Sequence, residues 1–214
     1  MPISEVLYYP EQTYHIYNHA CGYEDMFCTP YHYDMFLNTY TKFCNEIFHT
    51  YAFALMPNHF HLVAKIETFE KIERHYLKRN SAPIVSENDD FYDVKISNYV
   101  SSVFGSFLSS YVQKFNRKQK RKGTLLRENS KRKMVYDEAY FKQVIKVVHY
   151  NPVKHGFCKD PKEYDFTSYF DYINRDNTML KVNDGLEAFG GYKHFLSYHQ
   201  DQNTQVIDLE EDFP

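Results

Sequence analysis

The chain has 214 residues, 43% of them hydrophobic and 25% charged, with a formal net charge of -3. That length supports one sizeable core, or one core with a small appendage, and excludes two ordinary domains joined by a linker. No stretch approaches the roughly 18 uninterrupted apolar residues of a bilayer-spanning helix, and the opening 20 residues show no basic segment followed by an apolar run, so a cytoplasmic protein without membrane contact is expected. Cys21, Cys28, Cys44 and Cys158 lack the close pairing of a structural zinc site and are too few for a disulfide scaffold, so they are read as reduced thiols. The 21 Tyr and 18 Phe suit base stacking and core filling alike.

In chain order, residues Tyr14 to Asn18 have strand composition, with Cys21-Gly22-Tyr23 as the turn after them. Thr29-Pro30 then opens a helix to about Glu46, because proline in a first helical turn loses no needed hydrogen bond, and Met35, Phe36, Tyr40 and Phe43 recur at helical spacing. Phe48 to Leu55 and His59 to Ile66 read as two strands separated only by Met56-Pro57-Asn58, hence an antiparallel hairpin. Glu70 to Arg79 is compatible with a helix, and residues 80 to 92 read as a loop. From Ser97 to Lys118, Val100, Val103, Phe104, Phe107, Leu108, Tyr111 and Phe115 form the strongest helical stripe in the chain. Lys131 to Val135 suits a short strand and Asp137 to His149 a second clear helix, ended by Asn151-Pro152 because proline disfavours helical geometry in the residue before it. A small helix is expected near Tyr192 to His199. This order predicts an α+β fold, a ferredoxin-like antiparallel sheet with helices packed on it, over residues 1–175. Residues 176–214 are expected to be a C-terminal extension with a disordered acidic end.

Charge is segregated along this order. From Lys114 to Lys133 there are ten Lys or Arg against one Glu, whereas Asp201 to Pro214 carries five acids and no Lys or Arg. A block this basic in a slightly acidic chain is the footprint of a phosphate-backbone binder, although a solvated basic loop has the same composition.

Two features could carry chemistry. In a strand, residues two apart share a face, so His59 and His61 converge while Phe60 and Leu62 point to the other side. Two imidazoles are a good start on a divalent-metal site, and they are also a common accident in a chain with 11 His. Tyr111 has a hydroxyl able to attack phosphorus and form a phosphotyrosyl ester, but it shares its helical stripe with Phe104, Leu108 and Phe115, so by spacing alone it reads as a core residue.

Met56-Pro57-Asn58-His59-Phe60-His61-Leu62-Val63 resembles the histidine-hydrophobic-histidine motif of the single-tyrosine HUH transposases, which include the REP-associated tyrosine transposases. The resemblance extends to Tyr14-His15-Ile16-Tyr17-Asn18, Ser110-Tyr111, Phe115-Asn116-Arg117, Gly123-Thr124-Leu125-Leu126 and Lys131. It continues through Asp137-Glu138-Ala139-Tyr140 and the run from His149 to Gly156, covering roughly residues 8 to 172. It implies a DNA-binding endonuclease of transposition and DNA recombination that cuts and rejoins single-stranded DNA, with a 5′-phosphotyrosyl intermediate and a free 3′-OH. Carried over, His59 and His61 hold Mg²⁺ or Mn²⁺ and Tyr111 is the nucleophile. The resemblance further implies single-stranded or hairpin DNA as the partner and a homodimer whose helices can be exchanged between subunits. The family's polar third ligand, one helical turn after the tyrosine, falls on Phe115 here; Asn116 is the nearest substitute, with Gln113 and His15 behind it. The basic block is expected to supply the DNA contacts: Lys114, Arg117, Lys118, Lys120, Arg121, Lys122, Lys131, Arg132 and Lys133. The missing ligand keeps open a domesticated relative that binds hairpin DNA or RNA without cleavage. A metal phosphodiesterase that activates water at the histidine pair is a third reading.

Overall fold

Strand propensity and short turns are built into the first half of the chain, and the computed structural model, which describes residues 6–85, 90–175 and 179–201, turns them into a single sheet. Strands β1 (Thr13–His19), β2 (Phe48–Met56), β3 (His59–Ile66) and β4 (Lys131–Val135) pair in the order β2-β3-β1-β4. Every neighbour is antiparallel. With α1 (Pro30–Cys44) joining β1 to β2, and α2 (Phe69–Leu77) and α3 (Tyr92–Lys118) joining β3 to β4, this is the ferredoxin-like α+β order the sequence predicts. α4 (Glu138–Lys154) follows β4, and the short helices α5 (Tyr169–Asn174), α6 (Val182–Ala188) and α7 (Tyr192–Gln200) close the described chain.

The two sides of the sheet have different coverings, and side-chain alternation decides which residue goes where. Tyr14, Ile16, Phe60 and Leu62 face α1 and α3. The Phe36 ring of α1 lies 5.1 Å from Phe60, and Phe104 of α3 lies 5.6 Å from Phe48. The opposite side carries His15, Tyr17, His59, His61 and Val63, because Tyr17 pairs with His61 and His15 with Val63 in the β1–β3 register. α4 covers that side. On β2, Ala52 and Ala54 stand beside Val63 and His61, and their small side chains let the helix approach closely. A bulge between Thr50 and Ala52 re-aims Tyr51, whose ring meets Phe141 of α4 at 5.0 Å.

Three boundaries differ from expectation. α3 begins at Tyr92, five residues before Ser97, because an exposed first turn holding Tyr92 and Val94 has no apolar stripe to reveal it. α4 does not stop at His149 but runs through Pro152 to Lys154. The missing N–H of Pro152 costs one intrahelical bond, and burial of its ring together with a 3.0 Å bond from His155 N–H to the Asn151 carbonyl keeps the last turn. The segment after residue 175 shares the main core: Phe195 stacks on Tyr172 with ring centroids 4.8 Å apart, and Lys181 N–H donates to the Thr50 carbonyl. The expected acidic end beyond residue 201 and part of the 80–92 loop lie outside the described residues.

Candidate active site and nucleic-acid face

The β1–β3 pairing gathers a cluster of imidazoles. His15 and His61 are stacked, with His15 Nε2 2.8 Å from His61 Nδ1. His19 stacks on His59 at 4.5 Å, His59 meets His61 edge to face at 5.3 Å, and the Tyr17 ring lies 5.7 Å from His61. Asn58 closes the hairpin and fixes the first ligand candidate, its Oδ1 lying 2.7 Å from His59 Nδ1. When Nδ1 of each ring donates, to Asn58 and to His15, the lone pairs of His59 and His61 are both on Nε2, the tautomer a metal ligand requires. Both rings are buried.

α4 brings two residues to this face that the sequence reading did not single out. The exposed His155 packs its ring 4.8 Å from that of His59. Asn151, one helical turn earlier on the same side of α4, is 1% exposed, and neither atom of its side-chain amide has a hydrogen-bond partner among the described residues. A buried amide without partners costs about 1–3 kcal/mol. Among the described residues no three His, Cys, Asp or Glu side chains are placed to hold a metal ion. His59 and His61 supply two imidazole nitrogens suited to a divalent cation, and the unpartnered Asn151 amide oxygen on α4 is of the chemistry that could complete such a set. The i, i+4 spacing of Asn151 and His155 was the available signal, obscured by the expectation that the helix ends at His149.

The structure does not bring Tyr111 to the histidines. α3 packs on the Phe60 side of the sheet, so the sheet itself separates Tyr111 from His59 and His61. Its ring is 0% exposed among Phe27, Phe36 and Phe115, and its hydroxyl donates to the Met26 carbonyl. Burial raises its pKa well above the ordinary phenol value, the reverse of an activated nucleophile. Asn116 is corrected in the same way. It is on α3, its Nδ2 donates to the Gly123 carbonyl at 2.9 Å, and its Oδ1 accepts from Arg121 at 2.9 Å, so its amide pins the turn after α3 and is remote from the imidazoles. Gln113 is exposed and bonded to Ser109, whereas His15 does stand beside His61.

The basic block is divided by the same alternation. Lys131 and Lys133 pair with Tyr17 and His15 and project on the histidine side, along the edge strand. Arg132 points the other way, its guanidinium 4.1 Å from the Tyr8 ring centroid and its Nε donating to the Val6 carbonyl. Arg121 is structural as well: it pairs with Glu24 and donates to the carbonyls of Gly123 and Thr124. Lys120 and Lys122 are exposed at the turn between α3 and β4, and Lys114, Arg117 and Lys118 are on the last turns of α3, across a cleft from α1.

No family model matches the chain. A Haemophilus influenzae protein provisionally named a REP-associated tyrosine transposase is 24% identical over 137 residues, 63% of this chain and 66% of that protein, so the match spans just under two thirds of the relative. A solved structure of a REP-associated tyrosine transposase bound to a REP hairpin superposes with a TM-score of 0.55 at 14% identity, covering 85% of this chain and 90% of that one. At that identity the likeness speaks for the fold. Among the described residues no helix is long and apolar enough to cross a membrane.

Proposed function

We propose, from the premise that this chain is similar in sequence and in fold to the REP-associated tyrosine transposases, that it binds hairpin-forming single-stranded DNA and processes it on the sheet face of His59 and His61. The observation that carries this is the convergence on one face of His15, His59 and His61 with Lys131 and Lys133 of the neighbouring edge strand. The two lysines supply phosphate contacts next to the imidazoles, and such contacts position a strand without reading its sequence. His59, His61 and Asn151 would hold Mg²⁺ or Mn²⁺, and a bound cation would polarise the scissile phosphate. Asn58 and His15 fix the orientation of the two imidazoles, and α4 excludes water from them. A homodimer is the assembly the resemblance implies, and a solution mass measurement tests it.

The test is binding and cleavage with one hairpin oligonucleotide across a salt series. Affinity should fall steeply with salt, and Lys131→Ala with Lys133→Ala should lower the slope of log K against log[salt] by roughly 1.5. Cutting should require the divalent ion and disappear in His59→Ala or His61→Ala while binding persists. Equal affinity for the hairpin and for an unstructured strand of the same length would refute the hairpin reading.

A second reading, binding without cutting, is favoured by a specific observation: Tyr111 is sealed on the far side of the sheet. Salt-sensitive binding with no cleavage under Mg²⁺ or Mn²⁺ would select it.

A further inference from the structure

α4 makes polar contacts on the side turned away from the sheet as well as on the histidine side. At about 3.6 residues per turn, Lys146, His149 and Tyr150 lie together on the side of α4 opposite Asn151, and all three bond to the C-terminal segment. Lys146 is 6% exposed, an uncommon place for a lysine, and its Nζ donates to the carbonyls of Tyr198 and Asp201 at 3.0 and 2.5 Å. Those carbonyls are at the end of α7, where a helix leaves its last acceptors without intrahelical donors, and the buried ammonium caps them. Tyr150 Oη donates to the His199 carbonyl at 2.8 Å. His149 completes the set, with its Nδ1 3.0 Å from His199 Nε2 and its Nε2 2.9 Å from Ser168 Oγ. Ser168 Oγ in turn accepts from the Phe53 N–H of β2 at 2.9 Å, so a line of bonds runs from the edge strand through α4 to α7.

Packing alone does not require this arrangement. Phe195 of α7 already fills the space beside Tyr172 and His149. Buried polar groups that are all satisfied favour one register of two packed elements where apolar faces would allow several. The turn of α4 that they hold has little support of its own. Pro152 has no N–H to give the Val148 carbonyl, and the Asn151 amide makes no bond among the described residues that would keep it in place. We propose that α7 is a working part of the histidine site: Lys146, with Tyr150, is the positioning residue that holds α4 in the register where Asn151 joins His59 and His61 on a divalent cation. Lys146 is on the far side of the helix from the imidazoles, so its effect passes through the α4 backbone. The inference rests on the reading of that face as a cation site, and it gives the segment after residue 175 a role in it.

The experiment measures Mn²⁺ binding to the full chain, without DNA, by electron paramagnetic resonance, in which free Mn²⁺ gives a sharp signal that binding broadens. Lys146→Met keeps the apolar stem and removes the ammonium. It should bind Mn²⁺ roughly tenfold or more weakly, as loss of a group that supports a metal ligand commonly does. Asn151→Ala should weaken binding by itself, and adding Lys146→Met to Asn151→Ala should weaken it no further, because the lysine acts only through Asn151. Additive losses overturn the proposal, since a general loosening of the fold would reach the imidazoles without Asn151. Unchanged affinity in Lys146→Met, with Asn151→Ala weakened, overturns it as well and leaves the cation reading standing. Asn151→Ala with full affinity, or an unaltered protein that binds no Mn²⁺, refutes the cation reading itself, and the proposal falls with it. Thermal melts establish which variants are folded. Where Lys146→Met is unfolded, Tyr150→Phe decides: it loses one hydroxyl and keeps the ring, it should weaken Mn²⁺ binding, and unchanged affinity there overturns the proposal.

Discussion

Tyr111→Phe separates a structural hydroxyl from a chemical one. The substitution removes only the Oη that donates to the Met26 carbonyl and leaves the ring among Phe27, Phe36 and Phe115. Losing one buried hydrogen bond costs about 1 kcal/mol, and a carbonyl left buried without its donor raises this to about 2 kcal/mol. For a domain of this size each kcal/mol lowers the melting temperature by about 2–4 °C, so a drop of roughly 2–8 °C is expected. Tyr111→Ala, which empties the site, should cost about 3–5 kcal/mol. The assay pairs calorimetric melting with a denaturing gel that detects any covalent protein–DNA adduct formed with a hairpin oligonucleotide and Mn²⁺. The placement of Tyr111 predicts a lower melting temperature in the Phe variant together with undiminished DNA binding and no change in any adduct. An unchanged melting temperature with loss of an adduct that the unaltered protein forms would refute the structural assignment and restore Tyr111 as the nucleophile.

Two further predictions concern the packing behind the histidine face. His149 of α4 bridges Ser168 and His199 at 2.9 and 3.0 Å, and burial pushes the His199 pKa down to about 3 and that of His149 well below its ordinary value. Both rings are neutral in the folded state and take protons near pH 6.5 once unfolded. Each ring therefore contributes stability that is fully present above about pH 6.5 and is lost as pH falls, for His199 by about 1.4 kcal/mol per pH unit down to about pH 3. Denaturant titrations at several pH values should show this slope, and His199→Phe should flatten it; a slope identical in the variant would show that other groups set the dependence. Gly185→Ala tests whether α6 belongs to the main core. An added Cβ would lie 2.1 Å from the Tyr172 hydroxyl, which itself bonds the Tyr51 carbonyl at 3.1 Å, so the helix must shift at a cost of about 1–3 kcal/mol. Unaltered stability would show that α6 moves away at no cost.

Much of the sheet was legible because local signals and global order agree. The strand at His59–Ile66 and the edge strand at Lys131–Val135 have the bounds read from composition, and the shared face of His59 and His61 follows from the two-residue period alone. What the sequence does not encode locally is the side of the sheet on which each helix lands. The stripe of Phe104, Tyr111 and Phe115 marked a packed helix correctly, and that spacing agrees better with its core position than does the nucleophile role drawn from resemblance. The packed rings show each helix's side: Phe104 of α3 meets Phe48 and Phe60 on one side, and Phe141 of α4 meets Tyr51 on the other. The basic block shows the same limit. Its composition is one run, yet alternation along β4 sends Lys131 and Lys133 to the histidine side and Arg132 onto Tyr8, and Arg121 folds back onto Glu24. Asn151 was hidden by a reasonable rule, that proline ends a helix, which fails here because Pro152 falls in the last turn with its ring buried.

The most direct test is a crystal structure of the protein with a hairpin oligonucleotide and Mn²⁺, using the anomalous signal to locate the ion. The account predicts a peak bound by the Nε2 atoms of His59 and His61, with a DNA phosphate on that side of the sheet and the Tyr111 hydroxyl still on the Met26 carbonyl. A phosphate bound beside Tyr111 on the α1 and α3 side, with no metal at the histidine pair, would contradict it.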